Sequence, residues 1–378
     1  MHQTEIVLRL MASFTGKCST VHHFRDGFVG YLLIAGLSLC LGGCSQTGYL
    51  LHLCKGQLEI ICNTQPVEKV LADSEVPEAF RDKMQLIAEA KQFGETQLGL
   101  TPSKNYTTFY EVKNPPIAYN LVAAPQLALE PYRWCFPIVG CLPYKGFFDG
   151  DLARRERQRM IDKGYDTALR SVAAYSTLGW FTDPINSTML AYPDIALVDV
   201  ILHEMVHATI FLKGQGAFNE GIATFIGQTG AKAFFKTVKG VESTYFNDLK
   251  KRQEAKKRFQ AMIKDLADRL QHLYASERTD EEKLEKRSEI FGDVKRTLES
   301  WNKDDGGGNK YKKLLNIEWN NALVVSYMTY HQDNSLWETV YNRFNGDLKA
   351  MAMWLKGFKG EKAPFERVNL WLEENEKR

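Results

Sequence analysis

The sequence predicts an α+β fold that is mostly helical, with one small mixed sheet, and three observations carry that expectation. Residues 49–100 and the chain from Asp194 onward place apolar side chains at helical spacing. Between them lies a strand-rich stretch at residues 106–112, 117–123 and 143–148. The third is composition: 378 residues, 44% of them hydrophobic and 12% aromatic, suffice for a substantial buried core and exclude general disorder. Lys and Arg number 48 against 46 Asp and Glu. A net charge of +2 supplies no cation excess to displace counterions from a phosphate backbone, so nucleic acid is excluded as the main partner.

Residues 28–40 read FVGYLLIAGLSLC, thirteen residues without a charge, preceded by Lys17 and Arg25. A membrane-spanning helix needs about 20 apolar residues, so this run reads as the core of a signal peptide. Leu41-Gly42-Gly43-Cys44 follows it and resembles the bacterial lipobox. That resemblance implies cleavage after residue 43 and a lipid on Cys44, which anchors a protein to a membrane without spanning it. Ser45, where an aspartate would signal inner-membrane retention, points to the outer membrane, facing the periplasm. The leader carries Glu5, Arg9, Lys17, Arg25 and Asp26, so the remaining chain stays near neutral and attachment is assigned to the lipid.

Residues 44–100 are expected to form an N-terminal helical segment, striped by Ile60, Ile61, Val67, Val70 and Leu71, with Pro66 and Pro77 opening helices. Residues 101–236 form the core, where the strands lead to a helix capped by Asp149, a strand over residues 173–179, and two helices around residues 194–213 and 218–235. Residues 237–301 are dense in charges of both signs and read as a helical hairpin projecting from the core with a solvated face. Thr279 and Glu282 supply a capping box at its turn. Residues 310–378 are helical again and complete the cleft.

Four of the seven cysteines remain once Cys18, Cys40 and Cys44 are assigned to the leader and the anchor. Cys54 and Cys62 on one helix would stand about 12 Å apart, beyond the roughly 7 Å that a disulfide bridges. Cys135 and Cys141 can close a tight loop through Pro137 and Gly140, a bridge of about 2 kcal/mol.

The chemistry concentrates at His203-Glu204-Met205-Val206-His207. Helix positions four apart share a face, so both imidazoles can reach one ion, and Glu204 can reach a water on that ion. The pattern arises by chance in about 1 chain in 100 of this composition. Here it sits in an apolar helix whose polar groups need partners, and the spacing suits zinc (Zn2+) and metal-assisted hydrolysis. A third ligand is required. Glu220, at the start of the next helical pattern, is the candidate, His331 the rival, and Asn219 and Thr224 could orient the ligands.

The chain also resembles a family, the bacterial predicted aminopeptidases, HExxH lipoproteins of gluzincin-like type. The resemblance rests on Gly56-Gln57-Leu58-Glu59, on Trp134-Cys135-Phe136-Pro137-Ile138-Val139-Gly140-Cys141, on Ala174-Tyr175-Ser176-Thr177-Leu178-Gly179-Trp180-Phe181, on His203 to His207 and on Asn219-Glu220, with weaker similarity from Asn320-Asn321-Ala322 to His331. It runs from about Tyr49 to Leu370. It implies a zincin-like core and a zinc peptidase in which Glu204 is the base and His203, His207 and Glu220 hold the metal. Zincins pair an extended peptide substrate with an edge strand, a role that falls to Ala174, Tyr175, Ser176, Thr177, Leu178 and Gly179. A donor to the tetrahedral oxyanion is sought at Tyr330 or His331, near Tyr327. No GAMEN-like motif is present. Endopeptidase action, hydrolysis of a non-peptide amide in the envelope, and a silent envelope-binding role stay open, and the sequence sets no oligomeric state.

Overall fold

The computed structural model of the chain describes residues 44–136, 140–172, 182–240, 244–304, 311–330 and 334–376. It is α+β and mostly helical, and among the described residues the strands form three small sheets where a single mixed sheet was expected. Helices α1 (Cys44–Cys62), α2 (Val67–Ala72) and α3 (Glu78–Thr96) come first, with β1 (Thr64–Pro66) between α1 and α2. Pro66 and Pro77 stand just ahead of α2 and α3, where their fixed φ suits a helix start and the missing N–H leaves no bond unmade. Then come β2 (Thr108–Tyr110), β3 (Ala118–Pro125), β4 (Trp134–Phe136), β5 (Gly140–Leu142), β6 (Lys145–Phe147), α4 (Gly150–Asp162), β7 (Tyr165–Val172) and β8 (Ile185–Asn186). The rest is helical: α5 (Asp194–Thr209), α6 (Gly216–Lys239), α7 (Thr244–Tyr274), α8 (Asp280–Asp304), α9 (Lys312–Leu315), α10 (Asn321–Tyr330), α11 (Ser335–Arg343), α12 (Leu348–Lys356) and α13 (Pro364–Glu376).

Strand β2 pairs antiparallel with β1 and parallel with β8, the strand that feeds α5. Strand β3 lies between β6 and β7, antiparallel to both. Its side chains alternate between two cores: Leu121 and Ala123 pack with Ala153 and Met160 of α4, while Val122 and Ala124 pack beneath α7, α8 and α10. Asp149 caps α4 by accepting from the Asp151 and Leu152 amides at 2.7 and 2.9 Å. Those backbone bonds, the Leu152 one foremost, outweigh burial and hold its carboxyl below the usual range. Strands β4 and β5 set Cys135 opposite Cys141, which are joined as a disulfide, while Cys54 is a free thiol. Helix α1 docks on β6 within a few residues of its start, through the Tyr49 hydroxyl on the Gly146 carbonyl at 2.8 Å.

Helices α7 and α8 keep the expected solvated charged face but do not project from the core. Phe259, Ile263, Leu266 and Leu270 of α7 and Phe291, Val294 and Leu298 of α8 are buried against β3 and α10. Their helical spacing forms an apolar stripe that the surrounding charge density obscures in the sequence. The turn keeps the capping box, with Glu282 accepting from the Thr279 amide at 3.0 Å and Thr279 accepting from the Glu282 amide at 3.3 Å. One hairpin charge is itself inside: Arg287 pairs with the buried Asp166 of β7 at 2.9 Å, and Asp166 also accepts the Asn321 amide. Among the described residues no helix is long and apolar enough to cross a membrane.

Asn321, fully buried, joins these parts. Its side-chain amide donates to the carbonyls of Pro125, Gln126 and Ala128, and its oxygen accepts from the Tyr274 hydroxyl at 2.8 Å. Asn321→Ala leaves those buried groups unpaired and is expected to cost about 2–3 kcal/mol. Urea unfolding of the variant against the unmodified protein measures it.

Candidate metal centre

The centre is built on α5 and α6. Leu197, Val198, Ile201, Leu202, Met205 and Val206 are buried, giving α5 a broad apolar face. Asp199, His203 and His207 follow one another at intervals of four along the same helix, a polar stripe turned toward α6. Glu220 stands in the second turn of α6. Between the helices the chain turns at Gly214, whose φ of 79° is one that only glycine adopts freely.

Helix α5 ends at Thr209, short of the expected residue 213. The Thr209 hydroxyl bonds back to the Met205 carbonyl at 2.7 Å and accepts the Thr101 amide at 2.9 Å, and Ile210 is already extended. Asn219, expected to orient a ligand, performs a different task. Its side chain accepts from the Leu212 amide at 2.9 Å and donates to the Leu212 carbonyl at 2.8 Å, holding the turn that brings Glu220 back onto α5.

Three candidate ligand side chains converge. His203 Nε2 and His207 Nε2 are 3.1 Å apart, Glu220 Oε2 lies 3.6 Å from His203 Nε2, and Glu220 Oε1 lies 3.4 Å from His207 Nε2. A tetrahedral ion with arms of about 2.0–2.1 Å holds its ligand atoms about 3.3–3.4 Å apart. A carboxylate bonded directly to a charged imidazole would close to about 2.7–2.9 Å, so the three side chains are spaced for an atom between them. His207 is almost fully buried, and His203 and Glu220 are partly so. Burial raises the Glu220 carboxyl, but the two histidines outweigh it and hold the pKa at about 2. For His203 burial pulls down, and Glu220, Glu204 and Asp199 together pull the pKa up. The cluster therefore favours an anionic carboxylate facing positive charge. The donor set, two imidazoles and a carboxylate, fits a divalent transition metal such as zinc.

Glu204 is half-buried beside these three side chains. Two tyrosines that the sequence did not single out stand within electrostatic range of it: Tyr106, and Tyr144, which also feels Glu220. Burial is the first cause that raises both phenols, and the carboxylates add to it. Tyr106 has φ 64°, rare for a bulky side chain, and is held there by its amide on the Asp183 carbonyl at 2.7 Å. Tyr327 is core, stacked on Trp319 and lying under Arg170. Tyr330 ends α10 with its side chain outside the described residues, as is His331. The expected substrate strand, residues 174–179, also lies outside them.

Helices α5 and α6 meet where α6 has no side chain. A Cβ at Gly227 would stand 2.7 Å from Asp199 Oδ1 and 3.0 Å from the Asp199 carbonyl oxygen. Gly227→Ala must push the helices apart against backbone, and a loss of about 1–3 kcal/mol is expected in urea unfolding.

A family model described as "Putative aminopeptidase" matches residues 48–370. No curated protein matches the chain, and no solved structure does. The family match spans most of the chain and contains both helices of the centre, and the protein belongs to the family described as "Putative aminopeptidase".

Proposed function

We propose that the protein is a zinc-dependent peptidase with a zincin-like core, acting as an aminopeptidase and held to a bacterial envelope membrane by a lipid on Cys44. The observation that carries the enzymatic part is the convergence of His203, His207 and Glu220, whose imidazole Nε2 atoms are 3.1 Å apart and each within 3.6 Å of a Glu220 carboxylate oxygen. Family membership supports peptide as the substrate. Zinc held there supplies Lewis acidity toward a peptide carbonyl and lowers the pKa of a water.

The chain's own groups do the rest. Glu204 takes a proton from the attacking water as its oxygen bonds to the carbonyl carbon, and delivers it to the departing nitrogen as the C–N bond breaks. The products are a carboxylate and a free amine. The hydrophobic run at residues 28–40 and Leu41-Gly42-Gly43-Cys44 support the anchor, and Ser45 supports the outer membrane facing the periplasm. Because α1 begins at Cys44 and is docked by Tyr49, a lipid there would hold the catalytic body close to the membrane surface.

Two experiments test this. Glu204→Gln is expected to retain one zinc per chain by elemental analysis while kcat for peptide cleavage falls about 10²–10⁴-fold. An unmodified protein that binds no zinc rejects the reading. Cleavage of a mixed peptide library by the chain from Ser45 onward, with and without chelator, is expected to remove N-terminal residues one at a time. Internal cuts would replace the aminopeptidase reading with an endopeptidase one.

A further inference from the structure

Behind the three ligand side chains lies a second group of charges that the reaction does not use. Asp199 sits on α5 one helical turn before His203. The Gly227 position places the two side chains together: a Cβ there would be 2.7 Å from Asp199 Oδ1 and 3.2 Å from His203 Cβ, so these atoms are no more than about 6 Å apart. Two cations face the same carboxylate, Lys232 from α6 and Lys256 from α7. Lys232 also feels Glu338 of α11 and Lys257.

This is not an ordinary surface pair. Burial pushes the Asp199 carboxyl up to about 6 against the opposing pull of His203, Lys256 and Lys232, and burial pulls both lysines down. All three charges are partly desolvated, which is costly. Among the described residues neither lysine closes on Asp199 as an ion pair. The carboxylate is thus not consumed by a salt bridge. Its nearest functional neighbour is the imidazole one turn ahead.

The two histidines differ in this respect. Among the described residues His207 Nδ1 is buried without a hydrogen-bond partner, so packing and its Nε2 contacts orient that ring. His203 is less buried, at 21% against 6% exposed, and has an anion behind it. A carboxylate behind a ligating imidazole makes the far nitrogen a stronger donor and favours the tautomer with its lone pair toward the ion.

We propose that Asp199, one helical turn before His203 and packed with it against Gly227, is a positioning residue for the metal centre that orients His203 and strengthens Nε2 as a ligand. This rests on the metal-site reading above.

The test uses the chain from Ser45 onward, stripped of metal and titrated with cobalt(II) and with zinc(II) against a competing chelator. Asp199→Asn, nearly isosteric, is expected to weaken both metals 10–100-fold and to change the visible absorption bands of the cobalt-loaded protein, with the metal-stripped protein melting as before. A role confined to packing would shift the melting and leave the cobalt bands unmoved, and that result overturns the proposal, as does cobalt affinity within twofold of the unmodified protein. Should Asp199→Asn fail to fold, Asp199→Ser, smaller beside Gly227, carries the same expectations and the same refutation. Lys264→Met, an exposed hairpin change, is expected to leave metal binding unchanged. If the unmodified protein takes up neither metal, the metal-site reading fails and this inference falls with it. Uptake by both proteins with equal affinity overturns the inference alone.

Discussion

The close approach of α5 to its neighbours is the constraint on which the rest depends. At each contact the opposing helix offers a glycine: Gly227 and Gly230 of α6 against Asp199 and Leu202, and Gly94 of α3 against Met205 and Leu202. A Cβ at any of these would lie within 3.0 Å of an α5 atom. Interiors pack near the density of organic crystals, so such contacts leave little room for adjustment. The register between α5 and α6 decides where Glu220 meets the two histidines. Asn219, clamping the Leu212 backbone, fixes that register from the turn.

Close packing also sets the electrostatics. Removing water from a helix face that carries Asp199, His203 and His207 makes each charge strongly sensitive to its neighbours. Glu220 is held anionic, His203 is biased toward its charged form, and Asp199 is pushed the other way, all within two helices. Such opposed shifts cluster where a protein binds an ion or moves a proton. The small sheets serve this arrangement from outside. Strand β2 pairs with β8, which feeds α5, and the bond between Tyr106 and Asp183 just ahead of these strands brings a buried phenol toward Glu204.

The hairpin shows how a local pattern can mislead. Its residues alternate charge so densely that a projecting hairpin is the natural inference, yet over 259–273 and 291–301 a side chain is buried every three or four residues, packed with β3 and α10. Asp166, Arg287 and Asn321 come from three distant parts of the chain, and no local signal in the sequence joins them. The split into three sheets was hidden for a related reason. Strands of two or three residues carry too little alternation to announce their partners.

Features that depend on residues a few positions apart were readable from the amino-acid order: the proline helix starts, the Asp149 cap, the capping box at Thr279, the apposition of Cys135 and Cys141, and the shared face of His203 and His207. Helix and turn geometry alone dictates each of them. The polar stripe from Asp199 to His207 obeys the same rule, its first member standing at the same four-residue interval. Other features arise only when segments far apart in the chain meet. The stop of α5 at Thr209 needs Thr101. The distance from Glu220 to the imidazoles needs Gly227 and the Asn219 clamp, and the charge behind His203 is shared with a lysine from α7. Sequence spacing specifies which faces side chains occupy, whereas distances between faces come from packing, which no local pattern encodes.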